Sequence, residues 1–168
     1  MSPDEVDSFL REQVVGRVGC HSGGTTYVVP VIYAWEDGCA YVYSVEGQKV
    51  RMMRENPEVC FEVDEYRPGG SWRSAIVQGT YEELGPDDAG FTLRLLSSRF
   101  ASRSGASGEA GRAERRGEGR VPVAFRIRAR EVTGRKVDRS LPASTKARAG
   151  RLLTRHLARR STSDLAHN

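Results

Sequence analysis

The chain has 168 residues, 38% of them hydrophobic and 29% charged, with a formal charge of +4, which describes one ordinary globular domain with some chain to spare. No run approaches the ~20 apolar residues that cross a bilayer, and Met1-Ser2-Pro3-Asp4-Glu5 offers neither a basic nor an apolar leader, so the sequence reads as cytoplasmic and not membrane-bound. The charge is unevenly spread: residues 1–100 carry 9 Lys and Arg against 16 Asp and Glu, whereas residues 138–168 carry 7 against 2.

Ser2 is placed as an N-cap, Pro3 as the first helical residue and Glu5 as the partner in a capping box. Val6, Phe9 and Leu10 then share one face, which predicts a short covering helix. From residue 14 the period changes to two. Residues 14–21, 25–35 and 39–45 read as strands separated by Ser22-Gly23-Gly24 and Glu36-Asp37-Gly38, the latter a strong hairpin signal. Pro30 cannot donate to a ladder, so its strand needs a solvent edge, a bulge or a ligand there. Residues 46–56 form a compact helix with Val50 and Met53 on one face, ended by Asn56-Pro57. Residues 58–66 and 72–84 are the fourth and fifth strands, with Gly79 as a bend.

Pro86-Asp87-Asp88 opens a further helix carrying Phe91, Leu95 and Leu96, its acidic first turn suiting the dipole. Residues 101–120 contain only Ala, Ser, Gly, Arg and Glu; without large apolar side chains to offset ordering entropy they read as a flexible insertion. Residues 121–133 alternate strictly, with Val123, Phe125, Ile127 and Ala129 on one face and Arg126, Arg128 and Arg130 on the other, a sixth strand. Residues 138–168 form a basic tail whose 145–160 stretch has a narrow helical stripe. Six strands joined mainly by short turns predict a mainly β domain over residues 1–137, closed or split into a small barrel because closure removes exposed edges.

Chemistry concentrates in residues 41–57, YVYSVEGQKVRMMRENP. A strand ends at Ser44, a turn passes through Gly47 and a helix begins near Gln48 or Lys49, so backbone N–H groups and an ammonium converge: a phosphate site in outline. Cys20, Cys39 and Cys60 lie 19 and 21 residues apart with no C-x-x-C pair, and read as small buried hydrophobes rather than metal ligands or disulfide halves. His21 reads as a solvated turn residue. No triad or carboxylate pair is evident, and no catalytic side chain is assigned. The basic tail has no aromatic residue for base stacking, which favours a solvated tail over a nucleic-acid arm.

Joined to that junction are the second strand Gly23-Gly24-Thr25-Thr26-Tyr27-Val28-Val29-Pro30-Val31, the segment Asn56-Pro57-Glu58-Val59-Cys60-Phe61 and the start Ser71-Trp72-Arg73-Ser74. In this order and at these spacings the chain resembles the flavin-binding split-barrel superfamily of pyridoxamine 5'-phosphate oxidase, most of all its small oxidase-like and nitroimidazole-resistance members. The resemblance covers residues 1 to about 100 and resumes at 125–136. It implies a six-stranded antiparallel split β-barrel of Greek-key type, and a homodimer with FMN at the subunit interface. Carried over position by position, Val29, Pro30 and Val31 line the isoalloxazine ring, and Tyr43 and Ser44 flank the ribityl chain and phosphate. Lys49, with the backbone of Gly47 and Gln48, neutralises the phosphate as a point charge. Trp72, Arg73 and Ser74 approach the cofactor from the partner subunit.

Three departures narrow what is implied. Gln48 stands where the oxidases carry an arginine, and the oxidases' C-terminal substrate-binding segment has no counterpart in EVTGRKVDRSLPAS. Tyr43 occupies the place of a histidine in many nitroimidazole-type relatives. The implied activity is therefore electron transfer between bound flavin and an unidentified small molecule. The alternatives are a non-catalytic flavin or haem carrier or sensor, a deazaflavin-dependent reductase, and a nucleic-acid-associated protein acting through the tail.

Overall fold

In the computed structural model, residues 1–101 and 121–139 are described. The element order is α1 (Pro3–Glu12), β1 (Val15–Ser22), β2 (Thr25–Ile32), β3 (Ala34–Glu36), β4 (Cys39–Val45), α2 (Gln48–Glu55), β5 (Glu58–Tyr66), β6 (Trp72–Glu83), α3 (Pro86–Ala101) and β7 (Pro122–Val137). Two compact units are distinguished. Of the described residues, one comprises 1–65, 73–101 and 121–136, and the other 66–72 and 137–139. In the second unit, the Arg67 amide donates to the Ser71 carbonyl at 2.9 Å, and Ser71 Oγ accepts from the Arg139 amide at 3.1 Å. The readings of residues 102–120 as a flexible insertion and of the tail from residue 140 lie outside the described residues.

The strands form one seven-stranded sheet in the order β2-β1-β5-β6-β7-β4-β3. This corrects the expected six-stranded antiparallel split β-barrel of Greek-key type in two ways: there is an additional strand, and among the described residues the sheet is not closed into a barrel, with β2 and β3 as its edges. The extra strand arises because the run 25–35, read as one strand, is divided at Tyr33. There the pairing changes partner: the Tyr33 amide makes a last rung to the β1 side, donating to the Val14 carbonyl at 3.0 Å, Ala34 opens the pairing with Tyr41 of β4, and the Tyr33 hydroxyl donates to the Leu10 carbonyl of α1 at 2.7 Å. The fully buried Tyr33 side chain ties this change of partner to α1.

Local chemistry sets the remaining boundaries. Ser2 Oγ accepts from the Glu5 amide and the Glu5 carboxylate accepts from the Ser2 amide, the anticipated capping box, with Pro3 in the first turn. Val6, Phe9 and Leu10 are buried beneath α1, each contributing about 1.5–3 kcal/mol by transfer from water. Asp37 (φ 48°) and Gly38 (φ 69°) make the left-handed turn between β3 and β4 that a D-G pair favours. Gly79 is required by close approach, since a Cβ there would lie 2.6 Å from the Arg128 carbonyl oxygen and 2.8 Å from Ile127 Cγ2.

The core gathers the inward residues of each strand, Val18, Val42, Phe61, Val63, Val77, Phe125 and Ile127, against Phe9 and Leu10 of α1 and Val50 and Met53 of α2. The outward faces carry cross-strand ion pairs. Arg126 and Arg128 both reach Glu82, at 2.6 and 2.7 Å, and Arg130 reaches Glu58 at 2.6 Å. No helix among the described residues is long and apolar enough to cross a membrane.

β2 is outermost, which resolves its proline. The two-residue Gly23-Gly24 turn makes Ser22 and Thr25 the closing hydrogen-bonded pair, so the bonded pairs continue as Cys20 with Tyr27 and Val18 with Val29. Arg17 and Pro30 therefore form a non-bonded pair, and the Pro30 nitrogen points to the free edge, where no rung is lost.

Candidate functional site

The junction between β4 and α2 is built from a strand end, an uncapped turn and a cationic first turn. Tyr43 and Ser44 pair with Ala124 and Val123 of β7, and both are half-buried. Gly47 is the N-cap of α2 in extended conformation, with no side-chain cap bond and no heavy atom within 4 Å of the position a Cβ would take. The first intrahelical bond runs from the Arg51 amide to the Gly47 carbonyl at 3.1 Å, so the first-turn amides before it point past the helix end. The first turn holds no acidic residue; it holds Gln48, exposed, and Lys49, half-buried.

Lys49 lies near enough to β1 for its charge to be felt there. Its positive charge lowers the Cys20 thiol pKa, against burial, which is the larger effect and raises it. α2 packs on β1, and β2 approaches β4. The structure therefore brings Tyr43, Ser44, Gly47, Gln48 and Lys49 to one end of the sheet, near the strand that carries Val29, Pro30 and Val31. On that strand Val29 is half-buried, Pro30 exposed and Val31 buried.

α2 is fastened at both ends. At its C-terminal end, Asn56 Nδ2 donates to the His21 carbonyl at 2.9 Å, and Ser22 Oγ donates to Glu55. His21 itself is exposed, with Nδ1 3.0 Å from Thr26 Oγ1. Around the N-terminal turn, Arg54 binds Glu46 Oε1 at 2.8 Å through one terminal nitrogen, and both oxygens of Glu83 at 2.7 and 2.8 Å. Tyr81 donates its hydroxyl to Glu83 at 2.9 Å, and the Glu46 amide donates to the Val121 carbonyl at 2.8 Å. The Arg54 guanidinium holds the Glu83 carboxyl below its ordinary range. Sequence reading missed this network because Glu83 stands 29 residues from Arg54; the only local signal was a glutamate just ahead of a helix that has an arginine in its last turn.

Trp72, Arg73 and Ser74 begin β6 and are all half-buried. Arg73 is already engaged: its guanidinium lies 4.5 Å from the Phe9 ring centroid, 2.7 Å from Glu12 and 2.8 Å from Glu65. Trp72 falls in the second unit. Two clefts lie elsewhere in the fold. One of about 490 Å³ crosses the outer face of the sheet over Gly19, Val28, Cys60 and Gln78, and one of about 520 Å³ lies beneath α1 beside Asp7 and Trp35. None of the eleven sequence-derived cofactor residues lines either. Cys20 and Cys39 are buried and Cys60 half-buried, all three with thiols pushed up by burial. Among the described residues no group of three His, Cys, Asp or Glu side chains is placed to hold a metal ion.

Comparison with known proteins places this arrangement. A protein from Mesorhizobium loti described as FAD-binding has a crystal structure that superposes with TM-score 0.65 at 33% identity, covering 82% of this chain and 96% of that one. A conserved hypothetical protein of Mycobacterium tuberculosis superposes with TM-score 0.66 at 19% identity, over 86% and 94% of the two chains, a likeness of fold alone. An uncharacterized protein of Rhizobium meliloti is 33% identical over 84 residues, 50% of this chain; the chain thus spans about half, 56%, of that curated relative. The family model for pyridoxamine 5'-phosphate oxidase matches residues 2–136, through both the β4–α2 junction and the edge strand. The chain belongs to the pyridoxamine 5'-phosphate oxidase-like family of FMN-binding proteins.

Proposed function

We propose that the protein is an FMN-dependent oxidoreductase that works as a homodimer on a small-molecule substrate. The observation that carries this is the α2 N-terminus: an N-cap without a side-chain acceptor, a first turn without an acid, and Lys49 within that turn. Such a terminus fits a phosphate monoester, because unpaired amides, the helix dipole and an ammonium act together on one dianion. Lys49 and the first-turn amides hold the phosphate, and Tyr43 and Ser44 flank it and the ribityl chain. Val29, Pro30 and Val31 line the ring. The free edge of β2 supports that last assignment, since its outward main-chain groups meet the polar rim of a ring without a competing strand. Trp72, Arg73 and Ser74 complete the slot from the partner subunit.

A bound flavin supplies the redox chemistry; the chain supplies position, hydrogen bonds and water exclusion. No side chain is given an acid or base role. An absorption spectrum of the purified protein, with mass identification of the released chromophore and sedimentation analysis, tests the reading. A yellow dimer releasing FMN and bleached by NAD(P)H supports it, and a colourless monomer indifferent to added flavins overturns it. The Mesorhizobium loti relative, described as FAD-binding, favours a second reading in which the same terminus holds a flavin dinucleotide; release of FAD from the purified protein would select it.

A further inference from the structure

The least expected charge near the phosphate turn is Glu46. It stands directly ahead of the N-cap Gly47, within reach of the amides that an anion would use. A carboxylate there is attracted to the positive end of its own helix, and at the amides it would repel a second anion. Here the terminus has no side-chain cap bond, and Glu46 Oε1 is instead 2.8 Å from an Arg54 terminal nitrogen. Arg54 lies in the last turn, roughly 10 Å further along the axis at about 1.5 Å per residue. The Arg54 side chain reaches back along the helix to meet the carboxylate, which is thereby engaged by the guanidinium rather than by the first-turn amides. Arg54 is itself fixed by the two-point contact with Glu83, which Tyr81 steadies in turn. Such a forked contact sets the direction of the guanidinium as well as its place.

We infer that Arg54 is a positioning residue for the cofactor's phosphate: by taking up Glu46 it keeps a competing carboxylate off the α2 N-terminus and leaves the first-turn amides to the exogenous anion. This rests on the phosphate reading given above. Arg54 does not touch the cofactor; its effect passes through Glu46. The arrangement also links the turn to β6, so the cradle keeps its shape before the anion arrives, and less ordering remains to be done on binding.

The test is titration of the flavin-free full-length protein with FMN, followed by flavin fluorescence, with a thermal melt of each flavin-free variant. Arg54→Met releases Glu46 and weakens FMN binding by about fivefold, the scale of one like charge at a helix terminus. Adding Glu46→Gln to Arg54→Met restores affinity to within about twofold of the parent, because the competitor has gone, although the lost Glu83 contact is not replaced. The melts of the single and double variants stay alike, which separates this role from simple stapling of α2 to β6. Should Arg54→Met fail to fold, Arg54→Lys serves: its single ammonium cannot hold Glu46 and Glu83 together, so affinity falls and is again recovered by Glu46→Gln. Unchanged affinity in the arginine variant, or a double variant as weak as the single one, overturns the inference. Lys49→Ala runs alongside. If it weakens FMN binding while the arginine variant does not, only the role of Arg54 fails. If neither does, the phosphate reading fails and this inference with it.

Discussion

The Tyr33 hydroxyl donates to the Leu10 carbonyl at 2.7 Å, tying the break between β2 and β3 to the last full turn of α1. The ring is fully buried and meets Phe61 edge-on at 4.8 Å between centroids. Burial pushes the phenol far above its ordinary range, so it stays a donor at every working pH. Tyr33→Phe keeps the ring but strands the Leu10 carbonyl, costing about 1–3 kcal/mol of stability in urea denaturation. A variant as stable as the parent would show that the carbonyl has found another partner.

Gly79 has no room for a methyl group. Arg128 main chain and the Ile127 side chain of β7 close over it, and backbone cannot swing aside as a side chain can. Gly79→Ala is expected to cost about 1–3 kcal/mol by overpacking and to part β6 from β7. The measurements are the urea midpoint and amide exchange of residues 124–130.

Acid sensitivity follows from Glu82. Its bond to Arg128, reinforced by Arg126, brings the carboxyl from 4.5 down to about 2. The folded carboxylate is thus the weaker base, and the unfolded chain binds the proton first. Its stabilising contribution is complete above about pH 4.5 and is lost as pH falls towards 2. Since the side chain is 32% exposed, solvent screening keeps the effect modest. Glu82→Gln should flatten the acid limb of stability between those values while lowering the neutral plateau; an unchanged acid limb would remove Glu82 from the account.

Lys49→Ala is expected to weaken FMN binding by about tenfold, the scale of one charge-assisted contact to a phosphate. The flavin-free melting temperature should barely move, because the side chain is half-buried at the surface of α2 rather than part of the core. Raising salt should shrink the gap between variant and parent, as screening removes what the ammonium provides.

Where structure is written locally, the sequence could be read. Ser2, Pro3 and Glu5 fixed the start of α1, Asp37-Gly38 the turn into β4, and Asn56-Pro57 the end of α2. Strand partners are not local. Nothing in the run 25–35 announces that the pairing passes from β1 to β4 at Tyr33, and alternation reveals inward faces without saying which strands become edges. The candidate site divides in the same way: Gly47 and Lys49 are legible as a helix start with a cation. The Arg54 clamp on Glu46 and Glu83 is not, because it depends on β6 coming alongside α2. Arg73 reads equally as a ligand contact or a packing cation, and folding supplies it with Glu12, Glu65 and Phe9.

Pro30 has a further consequence for life in a crowded solution. A stretch as rich in valine as β2, laid along an unpaired margin, is the kind of template on which sticky polypeptides stack into insoluble fibrils. Because the Pro30 nitrogen faces outward and bears no hydrogen, an incoming segment meets a gap at the middle of the margin and cannot zip along it. One imino acid thereby lets the protein keep an accessible border without recruiting unwanted strands.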